Sequence, residues 1–73
     1  PSQVKLDRRS RMMYDAKHIF LNGESWRASG PDALLMRCLA DQRHLTKLQI
    51  QQASTAAKSL LLDWCKLGWL KAN

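Results

Sequence analysis

Two helix starts fall close together in this sequence, and the small space between them limits what the chain can become. Thr46 and Gln49 have the spacing of a capping box, in which each side chain satisfies a backbone N–H of the other. Leu45 and Ile50 occupy the two positions of a hydrophobic staple around that start. Ser54 offers the cap of a further helix. The intervening helix must therefore be short, Lys47 to Gln52, with a tight turn before a longer helix from Thr55 to Leu67.

The longer helix carries Ala57, Leu60, Leu61, Trp64 and Leu67 on one face and leaves Thr55, Lys58, Ser59, Asp63 and Lys66 outside. Gly68 ends it, because glycine takes the left-handed conformation after a C-cap without a Cβ penalty. Trp69 can then fold back onto Trp64, and Trp69-Leu70-Lys71 reads as a closing strand.

Upstream, Ser29-Gly30-Pro31-Asp32 marks another helix start: Ser29 or Gly30 caps, Pro31 suits the first helical position and Asp32 favours the positive end of the dipole. This helix runs from Pro31 to Gln42, with Leu34, Leu35, Cys38 and Leu39 as its apolar stripe. Leu35 and Leu61, mid-stripe in the two longer helices, are expected in the core. Before it come three short strand-like runs, Met12–Tyr14, His18–Leu21 and Ser25–Arg27. Asn22-Gly23 between the last two favours the positive φ angles of a two-residue hairpin, and Asp15-Ala16-Lys17 makes a weaker turn before them.

The expected fold is α+β: a winged helix-turn-helix with an N-terminal β-hairpin or meander, three helices and a short closing strand. Residues 11–73 are expected to form this domain. Residues 1–10 lack periodic hydrophobicity and read as a basic flexible tail or linker. A chain of 73 residues buries only about 60% of its unfolded surface, so a single small core is all it builds.

No apolar run approaches the roughly 20 residues of a membrane helix, and no signal-peptide pattern opens the chain, so a cytoplasmic location without a membrane partner is expected. The sequence begins with Pro1, which points to a removed initiator or to a segment of something longer. Cys38 and Cys65 lie within apolar helical stripes and read as reduced, packed thiols.

Catalytic and metal-binding patterns are missing. Cys38, Cys65, His18 and His44 include no close pair of the Cys-x-x-Cys kind. The six acids, Asp7, Asp15, Glu24, Asp32, Asp41 and Asp63, fall at turns, helix starts and exposed faces, which does not suit paired-carboxylate chemistry. Gly23, Gly30 and Gly68 serve turns and caps rather than a phosphate-binding loop. The reading is a module without catalytic site or cofactor.

Its net charge of +6 raises the question of a polyanion. Lys5, Arg8, Arg9 and Arg11 against Asp7 place half of that charge in the first 11 residues. The long C-terminal helix has only Lys58 and Lys66 as cations, with Asp63 between them, which suits a phosphate-lined groove poorly. The candidate partner or nucleic-acid contacts are Arg8, Arg9 and Arg11 in the tail; Arg43 and Lys47 near the short helix; Lys58, Ser59 and Lys66 on the long one; and Arg27 and Lys71 on the wing side. Trp26 has two readings, core packing or an exposed anchor for a protein.

Ser10-Arg11-Met12-Met13-Tyr14-Asp15, leading into Phe20-Leu21-Asn22-Gly23-Glu24 and ending in Gly68-Trp69-Leu70, resembles the C-terminal region of JmjC-type (cupin-like) ribosomal oxygenases over about residues 10–72. In that family a JmjC barrel binds Fe(II) and 2-oxoglutarate and hydroxylates a ribosomal protein, a helical region dimerises and a winged-helix domain closes the chain. The resemblance implies that this chain is the closing module, with the rest of a parent oxygenase or a ribosomal protein as partner. None of the family's iron ligands has a match, since His18 and His44 are not spaced like them. The alternative is a small winged-helix DNA-binding transcriptional regulator, with nucleic acid as partner.

Overall fold

The computed structural model describes residues 3–72. In chain order it contains β1 (Val4–Leu6), β2 (Met12–Tyr14), β3 (His18–Leu21), β4 (Glu24–Arg27), α1 (Gly30–Gln42), β5 (His44–Leu45), α2 (Lys47–Gln51), α3 (Thr55–Lys66) and β6 (Leu70–Ala72).

The local turn chemistry holds. Asn22 and Gly23 both have positive φ, 51° and 89°, and join β3 to β4 with Leu21 opposite Glu24. One Asp15 side-chain oxygen accepts the backbone N–H groups of Lys17 and His18 and closes the preceding turn. A meander β2-β3-β4 results.

The second sheet departs from expectation. Its order is β5-β1-β6, both pairings antiparallel, so the segment read as a flexible tail supplies the central strand. Val4 and Leu6 point into the core while Lys5 faces outward, the period-two pattern of a half-buried strand. Beyond β1 the chain stays attached. Asp7 N–H donates to the Trp69 carbonyl (2.9 Å) and the Ser10 hydroxyl donates to the same oxygen (3.0 Å).

The helix starts behave as their sequences require. Thr46 Oγ1 accepts the Gln49 N–H and Gln49 Oε1 accepts the Thr46 N–H (2.8 Å), completing the capping box. Ser54 Oγ accepts the Ala57 N–H (3.0 Å) and donates to Asp32 Oδ2 (2.8 Å), which pins the first turn of α1 to that of α3. The chain is not helical between Gln51 and Thr55, so α2 and α3 form a helix-turn-helix. Ser29 is the N-cap of α1 but makes no side-chain cap bond.

At the far end of α3, Trp69 N–H donates to the Trp64 carbonyl (2.9 Å) and Gly68 N–H to that of Cys65 (3.1 Å), with Gly68 at φ 81°. These two bonds are a Schellman motif, and they turn the chain directly into β6. Trp64 is 1% exposed and meets Trp26 edge-on, ring centroids 5.2 Å apart. The pair joins helix α3 to strand β4.

Two helical faces need correction. On α1 the buried residues are Ala33, Met36 and Leu39, whereas Leu34 is 67% exposed and Leu35 and Cys38 are half-buried. The buried stripe therefore lies beside the leucine-rich one and shares only Leu39 with it. On α3, Ala57, Leu61 and Trp64 are buried as expected and Leu60 is half-buried, but Leu67 is exposed because the C-terminal turn carries it away from the core. Among the described residues no helix is long and apolar enough to cross a membrane.

Leu61→Ala should lower stability by about 2–5 kcal/mol, Leu35→Ala by less, and Leu34→Ala by under about 0.5 kcal/mol. Removing residues 1–10 should abolish cooperative unfolding altogether. Urea denaturation followed by tryptophan fluorescence checks both, and a truncated chain that still melts cooperatively would contradict the central role of β1.

Candidate functional site

The outer face of α3 is assembled by the Ser54 cap and the burial of Ala57, Leu61 and Trp64 on the opposite side. Successive residues rotate by about 100° around the axis, so Thr55, Ser59 and Lys66 point most directly outward, with Asp63 beside them. Lys58 and Leu62 lie on one shoulder. There they border an apolar groove of about 240 Å³ whose walls are Val4 of β1, Ile50 of α2 and Leu61 and Cys65 of α3. Leu62 is 53% exposed at its rim. Burial pushes the Cys65 thiol pKa up, so this sulfur stays protonated at neutral pH and contributes apolar surface rather than reactivity. Cys38 is also a free thiol and accepts a hydrogen bond from Gln49 Nε2 (3.1 Å).

The other candidate residues do not form one surface. Arg8, Arg43 and Lys71 come together in a shallow basin of about 450 Å³ on the outer side of the β5-β1-β6 sheet, lined also by Lys5 and His44. Arg9 sits on the same Asp7–Ser10 turn and is held locally, its backbone N–H on Asp7 Oδ1 (2.8 Å) and its Nε 3.4 Å from the same oxygen. Arg11 is exposed at the entry to β2, where its backbone pairs with Asn22. Arg27 lines a separate depression with Lys17 and Arg37. Lys47 is exposed at the start of α2. Trp26 is half-buried against Trp64, which leaves its ring occupied with packing rather than presented as an anchor.

Arg43 has a structural task that sequence reasoning missed. It is the C-cap of α1 in the left-handed conformation, φ 64°. Its Nη2 donates to the carbonyls of Asp7 and Ser10, both at 3.0 Å, and its own carbonyl accepts the Leu6 N–H (2.8 Å). Lys5 and His44 were overlooked as surface contacts, and the signal was the Val4-Lys5-Leu6 alternation, which turns Lys5 outward once residues 4–6 are taken as a strand.

Asp7 is buried yet ionised. The Arg9 backbone N–H holds its carboxyl below the ordinary value of 3.8, burial opposes this, and the Arg9 and Lys71 charges add to the lowering. Lys71 Nζ lies 3.6 Å from Asp7 Oδ2. Among the described residues no group of three or more His, Cys, Asp or Glu side chains is placed to hold a metal ion. His18 and His44 stand on different sheets.

A strand-woven helix-turn-helix with a closing β6 at its exit is the arrangement shared by winged-helix domains, and the ROXA-like winged helix family model matches residues 4–71. This chain belongs to that family. The match covers β1 as well as the helices and agrees with the resemblance to the C-terminal winged-helix region of ribosomal oxygenases. Comparison with curated proteins and with solved structures gave no match.

A carboxyl whose pKa is lower in the folded than in the unfolded chain stabilises the fold above its unfolded value and loses that contribution as pH falls through the folded one. Asp7 and Asp15, whose carboxyl is lowered by the Lys17 and His18 N–H groups, should both behave so. Asp7→Asn should therefore be less stable than the natural chain at pH 6, and the gap should close as pH falls through and below the ordinary carboxyl value of 3.8. Urea midpoints across that range test it; a constant gap would exclude the ionised Asp7.

Proposed function

We propose that this chain is a non-catalytic docking module that works as the C-terminal winged-helix domain of a JmjC-type Fe(II)/2-oxoglutarate-dependent ribosomal protein hydroxylase. The observation that carries the reading is the composition of the α3 face. An element that enters a DNA groove presents several cations and amide side chains to phosphates and base edges. Here the outward positions are Thr55, Ser59, Asp63 and Lys66, and the shoulder opens onto an apolar groove rimmed by Leu62. That combination favours burial against protein.

In this reading the iron and 2-oxoglutarate belong to a separate barrel, and among the described residues no group of three or more His, Cys, Asp or Glu side chains is placed to hold the iron. The reduced thiols of Cys38 and Cys65 fit a cytoplasmic setting.

The reading predicts an encoded JmjC barrel in the same reading frame as this domain. It also predicts that Leu62→Asp weakens association with that barrel and its dimerisation region at least tenfold in a calorimetric titration. Lys58→Ala and Ser59→Ala should leave DNA affinity equal for a chosen and a scrambled duplex. A preference of about 1–3 kcal/mol for one duplex that disappears with those two changes would overturn docking and make the chain a DNA-binding regulator.

A further inference from the structure

Antiparallel register sets Lys5 opposite His44 on one side and opposite Lys71 on the other. All three are exposed and stand in one row across the outer face of the β5-β1-β6 sheet. Directly opposed residues in such a sheet have their Cβ atoms about 4.5–5.5 Å apart, and like charges placed there repel. Arg8 and Arg43 join the row at the rim of the same basin. The single carboxylate in the lining, Asp7, is already engaged by the Arg9 N–H and lies near Lys71. The Lys5 side chain has no hydrogen-bond or ion-pair partner among the described residues. The sheet face thus sets Lys5 directly opposite Lys71, and of these two only Lys71 has a carboxylate near it among the described residues, Asp7 at 3.6 Å.

We propose that this sheet face binds the phosphodiester backbone of a nucleic acid, with Lys5, Lys71 and Arg8 as the principal contacts and His44 at the edge of the row. The chemistry of the basin selects the ligand. Its Lys and Arg side chains are donors only, and its one carboxylate, Asp7, is already engaged, so the matching group is rich in acceptors. The exposed large apolar side chains, Met13, Tyr14, Leu34, Leu48, Leu62 and Leu67, all lie outside it, so it lacks the apolar anchor on which protein partners depend. Phosphate contacts need no such anchor, and cations alone supply them. Three neighbouring strands span about 10 Å, which lays the cations along a short stretch of one phosphate backbone. Among the described residues no Phe, Tyr or Trp lines the basin, so it lacks the stacking platforms of single-strand binders and holds the backbone rather than the bases. This surface is distinct from the Leu62 groove and does not depend on the docking role.

The test is fluorescence anisotropy of the full chain with a labelled 20-base-pair duplex of mixed sequence and a labelled RNA hairpin, over a salt series. Truncation cannot be used, because residues 4–6 are the central strand, so the probe is substitution. Lys5→Gln should weaken binding about fivefold to tenfold at 0.1 M salt and reduce the slope of log affinity against log salt by about 1. Lys5→Gln with Lys71→Gln should weaken it further, while Lys58→Gln with Lys66→Gln on α3 should leave it unchanged. Without ligand, Lys5→Gln should raise the melting temperature by about 1–5 °C at low salt, as relief of the opposed charges requires. The proposal fails if neither probe binds, if the α3 pair rather than Lys5 controls binding, if Lys5→Gln lowers the melting temperature, or if polyglutamate of matched charge competes as well as nucleic acid.

Discussion

The backbone ladder that seats Val4–Leu6 between β5 and β6 is the constraint on which the rest of this small domain depends. β5 has two residues and β6 three, and the two are not paired with each other; without a strand between them each would present unpaired N–H and C=O groups beside the core. β1 satisfies both edges and delivers Val4 and Leu6 to the same apolar cluster as Leu45, Leu61 and Leu70. The Asp7–Ser10 turn then fastens the strand at its end through Trp69 and Arg43. A guanidinium held by two carbonyls and a buried carboxylate held by a backbone N–H make this turn a fixed part of the surface.

The second link runs through Trp64. Its ring fills the space between α3 and the meander by meeting Trp26 edge-on, and its carbonyl receives the Trp69 N–H that redirects the chain into β6. One residue therefore couples the helix end, the meander and the closing strand. Its indole N–H is buried without a hydrogen-bond partner among the described residues, a cost of about 1–3 kcal/mol that the packing of so large a ring offsets. In a chain that can bury little surface, large aromatic contacts of this kind replace the depth of a bigger core.

What could be read from the sequence follows the range of the interactions involved. The capping box at Thr46, the Ser54 cap, the Asn22-Gly23 hairpin and the Gly68 stop are decided by residues within a few positions of one another, and the structure reproduces each. β1 was missed because its three residues offer a single period of alternation next to Arg8, Arg9 and Arg11, and its partners lie some 40 and 65 residues away. Periodicity alone cannot say which of two adjacent stripes faces the core, and on α1 Ala33 and Met36 are buried with Leu39 while Leu34 is exposed. The candidate contacts suffered the same way. Arg8, Arg43 and Lys71 were identified singly, but that they share a basin with Lys5 is a consequence of strand order, which no local pattern contains.

Strand order also separates the two chemistries of the surface. Alternation along β1 sends Val4 and Leu6 to one side and Lys5 to the other, so one three-residue strand lines the apolar groove beside α3 with Val4 and the cationic basin with Lys5. The net charge of +6 is therefore not a diffuse property of the chain. Of the four cations near the N-terminus, Lys5 is drawn onto a sheet, where its spacing from Lys71 is set by strand separation rather than by the wandering of a tail. A flexible basic arm would relax its own repulsion by extending; a strand held on both edges has no such freedom, and Lys5 stays opposite Lys71. The same ladder that completes the core thus turns an ordinary cluster of lysines and arginines into a surface of fixed geometry.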